Sequence, residues 1–211
     1  MKRFDIITEA DARLLTPGST IELARGGHIT PLAQDTLRDL RITVVRADGL
    51  DEGAAAGLAP VADVRAIAVG SDHTGVALRR TLVGHLRGQG LTVREIGPAG
   101  TDPVDYPDTA AEVARAVARG EVDAGIAIDG AGLGSAIAAN KVAGVRAAMC
   151  TTITLARYAR EHNGANVLTL GATLLTPDEA IAIVDTFRRT AMTEPRYVRR
   201  LAKIRQLDER R

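Results

Sequence analysis

Residues 124–135 read Ala-Gly-Ile-Ala-Ile-Asp-Gly-Ala-Gly-Leu-Gly-Ser, an apolar run that leads into a loop with three glycines. The run Ala124–Ile128 is typical of a strand buried in a parallel sheet. The glycines allow positive φ and let the backbone approach a ligand closely. A helix that begins near Ser135 would direct free N–H groups at the same point, so the loop can hold a phosphate or stabilise an oxyanion. A tight strand–helix turn without a ligand explains the spacing equally well.

Strand–helix alternation continues on both sides of this stretch. Apolar runs predict five strands, at residues 66–70, 91–96, 124–128, 145–150 and 167–170. Apolar spacing and capping residues predict the helices between these strands. One carries Leu78–Leu86, one begins at Thr109 with Glu112, one spans Thr152–Glu161, and one begins with a capping box at Thr176–Glu179. This order predicts an α/β fold: a Rossmann-like three-layer sandwich with a five-stranded parallel sheet.

Composition divides the chain into three parts. Residues 1–46 predict a small α+β module, with helices that begin near Thr8 and Thr30 and short strands at 20–23 and 42–45. Residues 47–65 are rich in glycine and alanine without clear periodicity, which favours a linker. The α/β domain is expected to span residues 66–211.

The bulk properties exclude several classes of protein. A net charge of +1 gives no global sign of nucleic-acid binding, although basic residues concentrate between Arg188 and Arg211. The single cysteine, Cys150, excludes an internal disulfide framework and fits a reducing compartment. We find no run of about 18 apolar residues and no apolar secretory leader after Met1. These features predict a cytoplasmic protein that binds neither a membrane nor nucleic acid.

In a parallel sheet, ligands bind beyond the carboxyl ends of the strands. Polar and glycine-rich segments follow three of the predicted strands, and a fourth such segment lies at the end of a helix. They are Gly70-Ser-Asp-His-Thr-Gly75, Asp105-Tyr-Pro-Asp108, Asp129-Gly-Ala-Gly-Leu-Gly-Ser135 and Arg160-Glu-His-Asn163. The loop Asp129–Ser135 is not a dinucleotide fingerprint, because it follows the third strand and lacks the expected acidic partner after the next one.

Taken in order, these segments resemble the ribose-5-phosphate isomerase type B family, which also includes galactose-6-phosphate isomerase subunits. The resemblance covers residues 66–211. Besides the four segments it rests on Ile137-Ala-Ala-Asn-Lys141, Gly144-Val-Arg-Ala147, Asn166-Val-Leu168 and the tail arginines Arg196 and Arg200. Residues 1–65 lie outside it.

The resemblance implies an aldose–ketose isomerase that works through a cis-enediol, needs no metal or cofactor, and forms a homodimer or larger homo-oligomer with shared active sites. It implies that Asp72 and His162 help to open the sugar ring. It also assigns substrate binding to a set of residues: His73, Arg196 and Arg200 for the phosphate, Tyr106 and Asn163 for the sugar, and Gly130, Gly132, Gly134 and Ser135 around the enediolate.

The chain departs from the family where the chemistry takes place. Many members carry a cysteine base at the position of Asp129, and others a glutamate at that of Ser135. A Thr or Ser common at the position of Ala131 is absent, Thr173 replaces an arginine, and Tyr197 replaces a histidine. We interpret Asp129 as the base that removes the sugar's α-proton. Its reference pKa of about 3.9 requires burial to raise it.

Several side chains have a simpler interpretation. Asp129 or Asp72 would then only cap a helix, and the tail arginines would form a solvated face. For the whole chain, the alternative to an isomerase is a non-catalytic sugar-phosphate-binding subunit, or a regulatory or scaffold protein derived from the same fold. The pair Asp72 and His162 favours the enzyme, because a pure binder has little need of two ring-opening groups.

Overall fold

A computed structural model of the chain describes residues 2–46, 58–192 and 194–208. The chain divides into two compact units, Met1–Ala56 and Gly57–Arg211. The described part of the smaller unit contains β1 (Arg3–Ile7), α1 (Glu9–Arg13), β2 (Thr20–Ile29), α2 (Pro31–Asp39) and β3 (Thr43–Arg46). No helix in the described part of the chain is long and apolar enough to cross a membrane.

The smaller unit is a parallel sheet in the order β1-β2-β3, with its core between the sheet and the two helices. Both helices begin where the sequence predicted, since the side chains of Thr8 and Thr30 accept N–H groups of their first turns. The sequence missed β1 and the second half of β2. The pairing of β1 with β2 shifts register between Phe4 and Ile6, which interrupts the two-residue alternation that marks a strand.

The larger unit holds the predicted five-stranded parallel sheet, in the order β5-β4-β6-β8-β7. Its strands are β4 (Ala66–Ser71), β5 (Thr92–Ile96), β6 (Ala124–Asp129), β7 (Ala147–Met149) and β8 (Val167–Gly171). Its helices are α3 (Val76–Gly88), α4 (Tyr106–Ala118), α5 (Leu133–Ala139), α6 (Ile153–Glu161), α7 (Pro177–Arg189) and α8 (Pro195–Asp208).

Alternation of small and branched residues along the strands builds the three layers. Ile67 and Val69 of β4 point into the core that α3, α6 and α7 cover. Ala68, between them, faces the opposite core under α4 and α5. Because successive strand residues face opposite sides, one apolar run serves both cores, and the Rossmann-like sandwich is confirmed.

Three local features differ from the sequence-based expectation. Helix α4 begins at Tyr106 rather than near Thr109, since proline fits the first turn and Asp105 has the extended backbone of an N-cap. The tail forms the helix α8, whose bounds the sequence analysis did not give. Finally, Leu58 and Val64 of the expected linker are buried in the larger unit, so that end of the segment is packed; residues 47–57 lie outside the described part.

Candidate active site

Parallel pairing places the carboxyl ends of the five strands at one edge of the large sheet, which we call the carboxyl edge. Ser71 pairs with Ile128, and Asp129 pairs with Gly171. The chain leaves β4 towards β5 on one side and returns to β6 on the other, so a crevice opens between the ends of β4 and β6. The segments that follow these two strands therefore face each other.

The loop Asp129–Ser135, called the glycine loop below, is folded around the carboxylate of its own first residue. Oδ1 of Asp129 accepts the N–H groups of Ala131, at 2.8 Å, and of Gly132. Oδ2 accepts the N–H of Ser135 at 2.7 Å. The side chain is buried, with 4% of Asp129 exposed. The loop thus has the geometry of an anion site, and Asp129 occupies it.

Burial would raise the pKa of Asp129, but hydrogen bonds from Ser135 and from the N–H groups of Gly132 and Ala131 favour the charged form, and the pKa lies below its ordinary value. The carboxylate is therefore ionised at neutral pH. It is also a weaker base than a free aspartate for as long as the loop holds it.

The loop is clamped against the end of β8. Gly132 has φ +79°, and a Cβ added there would lie 2.8 Å from the carbonyl carbon of Leu170. Thr169 Oγ1 donates to the carbonyl oxygen of Gly132 at 2.8 Å, and Thr173 Oγ1 donates to that of Gly130 at 2.6 Å. These two threonines were not among the predicted site residues. The sequence does carry a signal for them: Thr169 places a hydroxyl inside an otherwise apolar strand, and Thr173 places another just beyond it.

Asp72 and His73 lie across the crevice. Oδ1 of Asp72 accepts the N–H groups of Thr74 and Gly75 and the hydroxyl of Thr74, at 2.6–3.1 Å, so Asp72 caps the turn before α3. Nδ1 of His73 is 3.3 Å from both the N–H and the carbonyl oxygen of Val104. The capping interpretation of Asp72 is therefore present in the structure, and it uses only one of the two carboxylate oxygens.

Tyr106 closes this group from the side of α4. Its ring lies against the glycine loop: a Cβ on Gly134 would be 2.5 Å from the ring carbon Cε2. Ser135, at the end of the loop, is buried as well. Asp72, His73, Tyr106 and the glycine loop thus form one group, the carboxyl-edge cluster.

His162, Asn163 and Arg200 form a second group. The His162 ring stacks on Tyr158 with centroids 4.6 Å apart and meets Tyr197 at 4.8 Å. The guanidinium of Arg200 lies over the other end of this stack, 5.5 Å from the Tyr197 ring. Asn163 Nδ2 donates to the Tyr158 carbonyl at 2.9 Å. The Arg196 side chain lies outside the described part of the structure.

This second group stands at the opposite, amino edge of the sheet, and we call it the amino-edge cluster. His162 ends α6, which starts beyond β7 and runs back antiparallel to the strands, and Asn163 comes just before β8 begins at Val167. β8 alone spans about 13 Å, at 3.3 Å per residue. One copy of the chain therefore does not bring His162 and Asp72 together.

The cysteine and the metal-ligating types of residue are further candidates for chemistry in the described residues. Cys150 is buried, and desolvation raises the pKa of its thiol to about 11, which makes it a poor nucleophile. Within residues 2–46, 58–192 and 194–208, no three His, Cys, Asp or Glu side chains are grouped as a metal ion would need.

Comparison with known proteins identifies the family of the larger unit. A family model described as Ribose/Galactose Isomerase matches residues 67–204. Ribose-5-phosphate isomerase B of Escherichia coli is 40% identical over 148 residues, which are 70% of this chain and 99% of that protein.

Solved structures of the same family are similar to the larger unit. The enzyme of Clostridium thermocellum is 45% identical with a TM-score of 0.68, over 69% of this chain and 98% of the other. The enzyme of Mycoplasma genitalium, solved with bound ribulose 5-phosphate, is 39% identical with a TM-score of 0.67, over 69% of this chain and 97% of the other. The chain belongs to the ribose/galactose isomerase family.

Proposed function

We propose that residues 66–211 interconvert a phosphorylated aldose and its ketose, with Asp129 as the base. The observation that carries the proposal is the filled anion site of the glycine loop, where three N–H groups converge on two oxygens of one carboxylate. A loop that binds a carboxylate in this way can bind the negative oxygen of an enediolate. The relatives are named for ribose 5-phosphate, which is therefore the first substrate to test.

As the base, Asp129 gives up the hydrogen bonds of the loop N–H groups, and the enediolate accepts them instead. When its carboxylate takes the proton from C2 of the open-chain aldose, the charge moves to the sugar, and the neutral acid no longer needs the loop. The loop N–H groups then stabilise the enediolate. The hydroxyl proton on O2 then moves to O1, and return of the C2 proton from Asp129 to C1 gives the ketose and restores the ionised Asp129. N–H groups of Leu133 and Gly134, which have no acceptor among the described residues, lie in the same loop.

The second copy of the chain completes the site in this proposal. Asp72 and the glycine loop come from one copy, and His162 and Asn163 from the other, because one copy holds the two clusters at opposite edges. Apolar side chains left exposed around the carboxyl edge support such a contact. Leu133, Ile153 and Leu174 directly follow strands, and each is 54–59% exposed.

The phosphate is assigned to His73 of one copy and to Arg196 and Arg200 of the other. His73 stands beside the crevice, and arginine offers a permanent charge and paired donors for phosphate oxygens. The remaining parts of the proposal are those that the sequence predicts: residues 1–46 form a separate module, and the protein works in the cytoplasm.

The test is exchange of the C2 proton. The purified protein is mixed with ribose 5-phosphate, and in parallel with a panel of other pentose and hexose phosphates, in deuterated water, and incorporation is followed by NMR. The proposal predicts deuterium incorporation with the wild type and a loss of orders of magnitude in kcat with Asp129→Asn, while substrate still binds. Asp102→Asn, which changes an exposed carboxylate, is the matched control.

Two results would contradict the proposal. Turnover that survives Asp129→Asn at the wild-type rate would exclude Asp129 as the base. Absence of exchange with every sugar phosphate that binds would instead point to a non-catalytic binding subunit.

A further inference from the structure

Two hydroxyl groups support the glycine loop from the side away from Asp129. Thr169 Oγ1 donates to the carbonyl oxygen of Gly132, and Thr173 Oγ1 donates to that of Gly130. We propose that Thr169 and Thr173 are positioning residues, which aim the N–H groups of the glycine loop at the charged oxygen of the reacting sugar. This inference rests on the proposed isomerase function.

Peptide geometry connects the two threonines to the anion site. In a trans peptide the carbonyl and the N–H point in opposite directions. The carbonyl of Gly130 shares a peptide plane with the N–H of Ala131, and that N–H donates to Asp129. The carbonyl of Gly132 shares its plane with the N–H of Leu133. Each threonine therefore holds a carbonyl from behind and turns the adjoining N–H towards the crevice.

Burial indicates that Thr169 has a specific role. The residue is fully buried in β8, whose other side chains at Val167, Leu168 and Leu170 are apolar. A buried hydroxyl costs free energy unless it forms a hydrogen bond. The Thr169 hydroxyl forms its bond with Gly132, so the strand exchanges apolar packing for a fixed orientation of the loop.

The contacts of Thr173 also indicate a specific role, although this residue is not buried. It is exposed, so packing does not force its side chain towards the loop. Both its N–H, at 3.0 Å, and its hydroxyl, at 2.6 Å, nevertheless donate to the one carbonyl oxygen of Gly130. Donors on a carbonyl polarise the peptide and strengthen the bond that its N–H makes on the other side. The peptide that contacts Asp129 is thus both oriented and polarised.

The experiment compares valine and serine at each position. Thr169→Val and Thr173→Val keep the shape and remove the hydroxyl, while Thr169→Ser and Thr173→Ser keep it. Thr186→Val is the matched control, because its hydroxyl donates to the carbonyl of Ala182 at 2.8 Å on the distant helix α7. Two quantities are measured on the full-length protein: the titration of the Asp129 carboxyl carbon by NMR, and kcat and KM for the sugar phosphate that exchanges.

Each valine variant is expected to raise the pKa of Asp129, because the loop then holds the carboxylate less firmly, and to lower kcat about fivefold with little change in KM. The serine variants should restore both quantities, and Thr186→Val should change neither. An unchanged Asp129 titration in both valine variants would overturn the inference, as would a loss of kcat that serine fails to restore. The titration needs no turnover, so it decides the inference even if the proposed function fails.

Discussion

Replacing Asp129 with asparagine should destabilise the larger unit, because the glycine loop is built around a charged acceptor. The carboxylate accepts three backbone N–H groups, from Ala131, Gly132 and Ser135, and is almost fully buried. Asparagine has nearly the same shape, but one of its two terminal atoms is an NH2 donor. In either orientation of the amide, at least one N–H of the loop then faces another donor.

The expected loss follows from these bonds. A buried N–H without an acceptor costs about 1–3 kcal/mol. The bonds that remain become neutral rather than charge-assisted, which removes about 1 kcal/mol more. The sum, about 2–4 kcal/mol, is a large part of the 5–15 kcal/mol by which domains are usually stable. A neutral asparagine costs less free energy to bury than a carboxylate, but this gain does not cancel the loss. The lowered pKa of Asp129 means that the folded site favours the charged form.

Urea unfolding measures this loss. The chain has three tyrosines and no tryptophan, and Tyr106, Tyr158 and Tyr197 all lie in the larger unit, so tyrosine fluorescence reports on that unit. The midpoint should fall by about 1–2 M urea in Asp129→Asn. Asp102→Asn, at an exposed carboxylate, should leave it unchanged. A variant as stable as the wild type at neutral pH would refute the reasoning.

The difference should also depend on pH in a defined direction. The pKa of Asp129 is lowered in the folded chain, against about 3.9 when unfolded. Its stabilisation is therefore complete above about pH 5 and is lost as pH falls through the folded pKa. Since asparagine does not titrate, the wild type and Asp129→Asn should converge in stability in acid. A gap that stays constant or widens would contradict the assignment of the effect to ionisation.

Three further predictions test other parts of the larger unit. Gly134→Ala places a Cβ 2.5 Å from the Tyr106 ring, so the exposed ring should move. The value of kcat/KM should then fall about ten- to hundredfold while the thermal midpoint stays unchanged. An unaltered kcat/KM would contradict this. Thr176→Ala removes a capping box and should cost about 1 kcal/mol in urea unfolding, whereas Thr176→Ser should not. Cys150, with its pKa raised to about 11, should react with iodoacetamide at pH 8 more than about a hundredfold slower in the native than in the unfolded chain, and equal rates would contradict its burial.

The larger fold was predictable because its signals are local. Apolar runs such as Ala124–Ile128 are long enough to mark buried strands, and Thr176 with Glu179 marks a helix start. The order of the strands was not predictable, since the pairing of β4 with β6 depends on contacts distant in the sequence. The start of α4 was placed too late because Thr109 and Glu112 imitate a capping box inside a helix. There, Thr109 Oγ1 donates to the carbonyl of Tyr106.

The candidate site was predictable as a set of segments but not as a set of contacts. Spacing alone placed Asp72, His73 and Asp129 at the carboxyl edge, where parallel strands bring their ends together. That the three loop N–H groups take up the carboxylate of Asp129 depends on φ +79° at Gly132 and on the packing of the loop against Leu170. The role of Thr169 is also a tertiary effect, since its partner Gly132 lies 37 residues away.

In the proposed mechanism the glycine loop would hold one negative charge throughout the reaction, which would let Asp129 act as the base although its pKa is lowered. Before proton transfer the loop stabilises one negative charge on Asp129; after transfer it would stabilise one negative charge on the enediolate. Each charge-assisted bond is worth about 1.5–3 kcal/mol, and the bonds that the carboxylate gives up are available to the new oxyanion. The lowered pKa would therefore not add to the barrier in full, because the same N–H groups would stabilise both the carboxylate and the enediolate. This requires that the loop stay rigid while its ligand changes, which is the task that the clamp from Thr169 and Thr173 would perform.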